Sequence, residues 1–109
     1  MTVNELIQKL NLTPQALPDG EREVSGAYIG DLLSWVMGRA QSGNVWITIM
    51  SNVNIVAVAA LADVSCIVLA EGVRADDEVV EKAKQKDINL LTSDKPAYEI
   101  AAALANLQI

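Results

Sequence analysis

From Val45 to Ala62 the chain runs without a single charged residue, and no other stretch constrains the fold as strongly. A run of that length is either a membrane span or a segment buried by its own protein. Thr48, Ser51, Asn52 and Asn54 interrupt the apolar residues, and two periodicities meet there. Asn44-Val45-Trp46-Ile47-Thr48-Ile49 is β-branched and aromatic and lies between turn residues, which predicts a central strand. Asn52-Val53-Asn54-Ile55 through Ala62 predicts an alanine-rich helix with nearly all faces apolar, so it needs burial against a sheet and against something else. The run therefore reads as a buried strand, turn and helix.

The same unit recurs downstream. Cys66 to Ala70 predicts a strand ended by Gly72. Ala75-Asp76-Asp77-Glu78 opens a helix with acids in its first turn, and Lys82, Lys84 and Lys86 close it in agreement with the helix dipole. Val79, Val80 and Ala83 supply its inner face. Asp87-Ile88-Asn89-Leu90-Leu91 predicts a last strand. Thr92-Ser93-Asp94-Lys95-Pro96 then starts a helix with proline in its first turn and a core stripe of Ile100, Ala103, Leu104 and Leu107. Three strand-helix pairs imply right-handed crossovers and a mainly parallel sheet. The expected class is α/β, a three-layer arrangement in which a sheet of about four to five strands is flanked by helices. A single domain over residues 1–109 is expected.

Upstream, Thr2 and Glu5 form a capping box ahead of Leu6, Ile7 and Leu10. Pro18-Asp19-Gly20 is turn chemistry between Ala16-Leu17 and Glu23-Val24, each a short strand or an extended edge. Gly26 to Gly30 reads as a tight turn leading into a helix over Leu32 to Met37, with Asp31 as its N-cap and Gly38 or Gly43 helping to end it. Leu32, Leu33, Trp35, Val36 and Met37 spread more widely around this helix than one core contact needs, which predicts two buried sides. Leu32, Trp35 and Met37 are the candidate interface of a homodimer, because subunit contacts favour aromatic and methionine residues. Trp46, on the central strand, is assigned to the core.

Composition excludes several classes of function. A net charge of −6 with scattered basic residues argues against nucleic acid and against an anionic membrane as partner. The chain has no histidine, which removes Ser-His-Asp and Cys-His catalysis and the usual zinc or iron ligand sets. No glycine is followed by lysine as a phosphate loop requires, and no GxGxxG is present. Asp76-Asp77-Glu78 is the densest acidic group and reads as dipole partners at a helix start. No catalytic residue, metal ligand or cofactor is assigned, and the chain is expected not to be an enzyme. Cys66, the one cysteine, reads as a buried structural residue. The first ten residues lack the basic start and apolar stretch of a signal peptide, so a cytoplasmic location is expected.

Topology supplies the candidate ligand site. In open parallel sheets, ligands gather beyond the carboxyl ends of the strands, where helix N-termini and loop amides converge. Those ends carry Thr48, Ser51 and Asn52 after one strand, Glu71 and Gly72 after the next, and Thr92 and Ser93 with Asp94 after the last; Asp31 and Ser34 lie at the start of the helix before them. Taken singly, each suits a cap or a turn. Together they suit a nucleotide or another small polar ligand.

Gly30-Asp31-Leu32-Leu33-Ser34-Trp35-Val36-Met37, Val45-Trp46-Ile47-Thr48-Ile49, Asn54-Ile55-Val56-Ala57-Val58-Ala59 and Ile67-Val68-Leu69-Ala70-Glu71-Gly72 resemble, in that order, a stand-alone DRTGG domain. The resemblance implies an α/β module that dimerises and has a regulatory role, accompanying CBS pairs in regulated pyrophosphatases or preceding phosphotransacetylase catalytic domains. It extends to the amino-terminal domain of HPr kinase. The sequence departs from the family where the family takes its name. Ser51-Asn52-Val53 stands where an Asp-Arg pair is expected, and Ala70-Glu71-Gly72 where Thr-Gly-Gly is expected. Losing the arginine removes a cation suited to phosphate, and Glu71 adds an anion. The reading is a non-catalytic regulatory or scaffolding module that acts through homodimerisation and contacts with an unidentified protein, with a small polar ligand in the strand-end crevice; the alternative is an adenine-nucleotide sensor.

Overall fold

The computed structural model describes all residues from Met1 to Ile109. Ten elements follow the order α1 (Val3–Leu10), β1 (Thr13–Ala16), β2 (Ala27–Ile29), α2 (Leu33–Arg39), β3 (Val45–Thr48), α3 (Asn54–Ala62), β4 (Cys66–Leu69), α4 (Asp77–Gln85), β5 (Leu90–Thr92) and α5 (Ala97–Asn106). The strands form one sheet in the order β1-β5-β4-β3-β2. Strands β2 to β5 are parallel neighbours, and β1 joins β5 antiparallel at the edge with an irregularity between Pro14 and Ala16. Proline cannot donate to a ladder, which suits it to that edge. The mainly parallel α/β sheet expected from the sequence is the fold observed.

Side chains alternate across the sheet and divide the core into two layers. On one face Trp46, Ile67, Leu69 and Leu90 meet Val36 of α2, Ile55, Val56 and Ala59 of α3, and Val79 and Ala83 of α4. On the other, Val45, Ile47, Cys66, Val68 and Leu91 meet Val3, Leu6 and Leu10 of α1 and Ile100 and Leu104 of α5. Strands β3 and β4 are buried throughout, since both their faces are covered. That accounts for the uncharged run: its strand lies in the sheet interior and its helix lies against it. No helix of the chain is long and apolar enough to cross a membrane.

The amino-terminal half departs from expectation in four places. Ala16 ends β1 and Leu17 lies outside it, while Glu23 makes only an isolated bridge to Thr2. Gly26 and Gly30 bracket the strand β2 instead of forming one turn, with Gly26 at φ 70 where a side chain would be strained. Asp31 is not the N-cap of α2; Leu32 holds that position without a side-chain bond, because the Asp31 carboxylate is engaged elsewhere. The two buried sides expected of α2 reduce to one, as Val36 is its only buried residue. By contrast, the Thr2–Glu5 capping box forms on both sides of the helix start. Asp76 caps α4 through Val79 N–H. Trp46 is fully buried, its Nε1–H donating to Gly30 O at 2.9 Å.

Candidate functional site

Where β2, β3 and β4 end, the backbone opens into a cleft of about 440 Å³. Its apolar lining comes from Ile29, Ile47, Ile49, Ala70, Val73 and Ala97, and its polar lining from Asp31, Thr48 and Glu71. The volume lies within the range of small-molecule sites, which pair mostly apolar walls with a few placed polar groups.

Thr48 is the fixed point of this site. It is the last residue of β3 and is buried, and its hydroxyl donates to Asp31 Oδ1 at 2.8 Å while accepting from Met50 N–H at 3.1 Å. The same Asp31 oxygen accepts Ile49 N–H at 3.1 Å. These bonds draw Asp31 away from the start of α2 and pin it across the end of β3, which explains its failure to cap the helix. A carboxylate held by two donors is preorganised, and hydrogen bonds of this kind are stronger than neutral ones.

Glu71 enters from the loop after β4 with an unusual backbone. Its φ is 62 and that of Gly72 is 76, so two successive residues occupy the left-handed region. Glu71 N–H donates to Lys95 O at 2.9 Å and Gly72 N–H to Ser93 O at 3.0 Å, which ties this loop to the one after β5. The consecutive glycines that the DRTGG resemblance leads one to expect here suit this geometry, since only glycine takes it without a steric penalty. Glutamate at the first of the two positions accepts that penalty and brings an anion to the cleft wall.

The remaining sequence candidates lie elsewhere. Asn52 Oδ1 accepts Asn54 N–H at the start of α3, and Ser51 precedes it in the same loop, outside the cleft. Thr92 is buried and donates to Thr13 O, fastening the edge strand. Ser93 Oγ accepts Lys95 N–H and borders a separate hollow of about 110 Å³ beside α1 and α5. The structure thus gathers Asp31, Thr48 and Glu71 in one place and disperses Ser51, Asn52, Gly72, Thr92 and Ser93. Sequence reasoning missed the isoleucine lips Ile29 and Ile49, both about half exposed. Their signal was an apolar residue at a strand's last position, Ile29, and one just past a strand, Ile49.

The interface candidates all lie at the surface. Leu32 is 56% exposed, Trp35 51% and Met37 46%, and the Arg39 guanidinium lies 3.7 Å from the Trp35 ring centre. Cys66 is enclosed between sheet and helix, and burial pushes its thiol up to about 12, so it stays an unreactive thiol. No group of three or more Cys, Asp or Glu side chains is placed to hold a metal ion.

The fold is a mostly parallel α/β domain with helices on both faces and an open cleft at the strand ends. The chain belongs to the DRTGG domain family, whose model matches residues 20–107. Among solved structures it is similar to the CBS and DRTGG domains of the regulatory region of Clostridium perfringens pyrophosphatase, crystallised with the activator diadenosine tetraphosphate. The TM-score is 0.73 at 15% identity, over 94% of this chain and 45% of that one. This chain therefore spans less than half of that regulatory region, and the likeness is one of fold. No curated protein matches the sequence.

Proposed function

We propose that the chain is a non-catalytic regulatory or scaffolding module that acts by homodimerisation and protein contacts and takes a small polar ligand in the Asp31–Thr48–Glu71 cleft. One observation carries the dimer: α2 and its N-cap leave Leu32, Trp35 and Met37 exposed in a chain with only four aromatic residues. Large apolar residues exposed together mark contact surfaces. A second copy fits because a surface related to itself by a two-fold axis needs no other partner. Family membership, and the regulatory setting of the Clostridium perfringens neighbour, support the regulatory part.

Sedimentation equilibrium tests this reading. The chain is expected to be a dimer at micromolar concentration, and Leu32→Glu with Trp35→Glu to be a folded monomer whose melting temperature no longer depends on concentration. A wild-type monomer at high micromolar concentration refutes the dimer.

The second reading is adenine-nucleotide sensing in the same cleft, favoured by the dinucleotide activator of the neighbouring structure. Against it stand Asp31 and Glu71, which repel phosphate, and the absence of any lysine or arginine from the cleft lining. Calorimetry with a panel of adenine nucleotides separates the readings: saturable heat from one of them, changed in Asp31→Ala, supports the sensor, and no heat from any of them disposes of it.

A further inference from the structure

We infer that the groove between α3 and α4 is a second binding site, one for a small amphiphilic carboxylate: an apolar chain ending in a single anion. The sequence of α3 is apolar nearly all round, yet the fold covers one side only. Ile55, Val56, Val58, Ala59 and Ala62 turn inward, whereas Val53, Ala57 and Ala60 remain exposed. Opposite them, α4 commits only Val79 and Ala83 to the core. A groove of about 360 Å³ lies between the two helices.

Val53, Val56, Ala57 and Ala60 form an apolar trough, Asn54 adds one uncharged polar side chain, and the only charged side chains are Lys82 of α4 and Lys86 at its C-cap. Neither lysine makes an ion pair; the ion pairs of the chain are Met1–Glu23, Arg22–Asp63 and Lys84–Glu81. Lysine stems cover apolar surface while the ammonium stays wet, so both heads can close over an anion at the groove's rim. The small Ala57 and Ala60 side chains keep the trough open, and its volume suits a chain of modest length. Glu78 and Glu81 lie in the adjoining hollow, which Lys82 also borders. They place negative charge at that end and direct the ligand's head toward Lys86.

Titration of the full chain with decanoate, followed by amide NMR, tests the assignment. Saturable shifts are expected in α3 and α4, with decanol and decyltrimethylammonium binding at least tenfold more weakly. Lys82→Gln with Lys86→Gln is expected to weaken decanoate at least tenfold, and Ala60→Leu to fill the trough and abolish binding. Both lysines are exposed, so the double variant remains decisive if Ala60→Leu is unstable. The proposal is overturned by no binding up to millimolar decanoate, by equal affinity in the double lysine variant, or by an acidic amphipathic peptide binding where decanoate does not.

Discussion

At the amino-terminal ends of the parallel strands, Asn44, Ser65 and Asn89 each stand one residue before a strand and are buried. They link into a chain that crosses the sheet. Asn44 Nδ2 donates to Ser25 O at 2.7 Å, Ser65 Oγ donates to Asn44 O at 3.0 Å, and Asn89 Nδ2 donates to Ser65 O at 3.0 Å. At the opposite ends the polar residues Asp31, Thr48 and Glu71 face an open cleft between exposed isoleucines. Both ends are polar, but at the first every group finds its partner inside the chain, whereas at the second Thr48 and Asp31 bind each other and present the assembly to solvent. Burial of polar residues therefore does not mark a site. A candidate site is where fixed polar groups meet apolar surface that the chain leaves uncovered.

The largest test of this comparison is Asn89→Leu. Asn89 accepts Asp19 N–H through Oδ1 and donates through Nδ2 to Asp19 O and Ser65 O. Leucine has similar bulk but removes all three of these bonds from a residue only 2% exposed, so a loss of about 3 kcal/mol is expected in urea unfolding. Thr48→Val probes the other end. It removes the donor to Asp31 and the acceptor of Met50 N–H, both close to water that can substitute. The expected loss is about 1 kcal/mol. If Thr48→Val costs as much as Asn89→Leu, the distinction between a sealed end and an open end fails.

A smaller effect of opposite sign sharpens the comparison. Glu71→Gly relieves the left-handed conformation at φ 62 and is expected to raise stability by about 1 kcal/mol, offset in part by the greater freedom of glycine in the unfolded chain. A residue that stabilises the protein when removed is held for another reason, and strained positions cluster at ligand clamps. A measured loss of stability in Glu71→Gly removes that argument for the cleft.

Legibility followed the same division. From Asn44 onward the strands and helices were readable because each strand is buried on both faces, α4 carries cap and dipole signals at Asp76 and Lys82, and α3, which has neither, is apolar nearly all round. Strand β2 was not, because three residues between two glycines give no periodicity to read. Asp31 illustrates a deeper limit. A local rule makes it a cap, but the parallel register of β2 on β3 brings it beside Thr48, and only the folded pairing contains that information. The ladder of Asn44, Ser65 and Asn89 was likewise hidden, because the sequence pattern places Asn44 and Asn89 inside predicted strands, whereas each stands one residue before the strand that forms.

The smallest effect concerns Asp63, which follows α3 on the sealed side with φ 59. Ser42 Oγ–H donates to its carboxylate, and Arg22 reaches both that carboxylate, at 3.1 Å, and its backbone oxygen, at 2.9 Å. The Ser42 hydrogen bond first, and Arg22 second, hold the carboxyl below its ordinary range. A folded-state pKa that lies below the unfolded one gives a contribution that is complete above the unfolded value and lost as pH falls through the folded one. Stability is therefore expected to decline on acidification through the carboxylate range, and Asp63→Asn to flatten part of that decline while leaving neutral-pH stability slightly lower. Because the group is well exposed, the difference is small, and matched urea titrations at several acidic pH values are needed to read it. An unchanged pH profile in Asp63→Asn would mean that Arg22 and Ser42 do not hold this corner in solution, and that the sealed end is sealed by its buried amides alone.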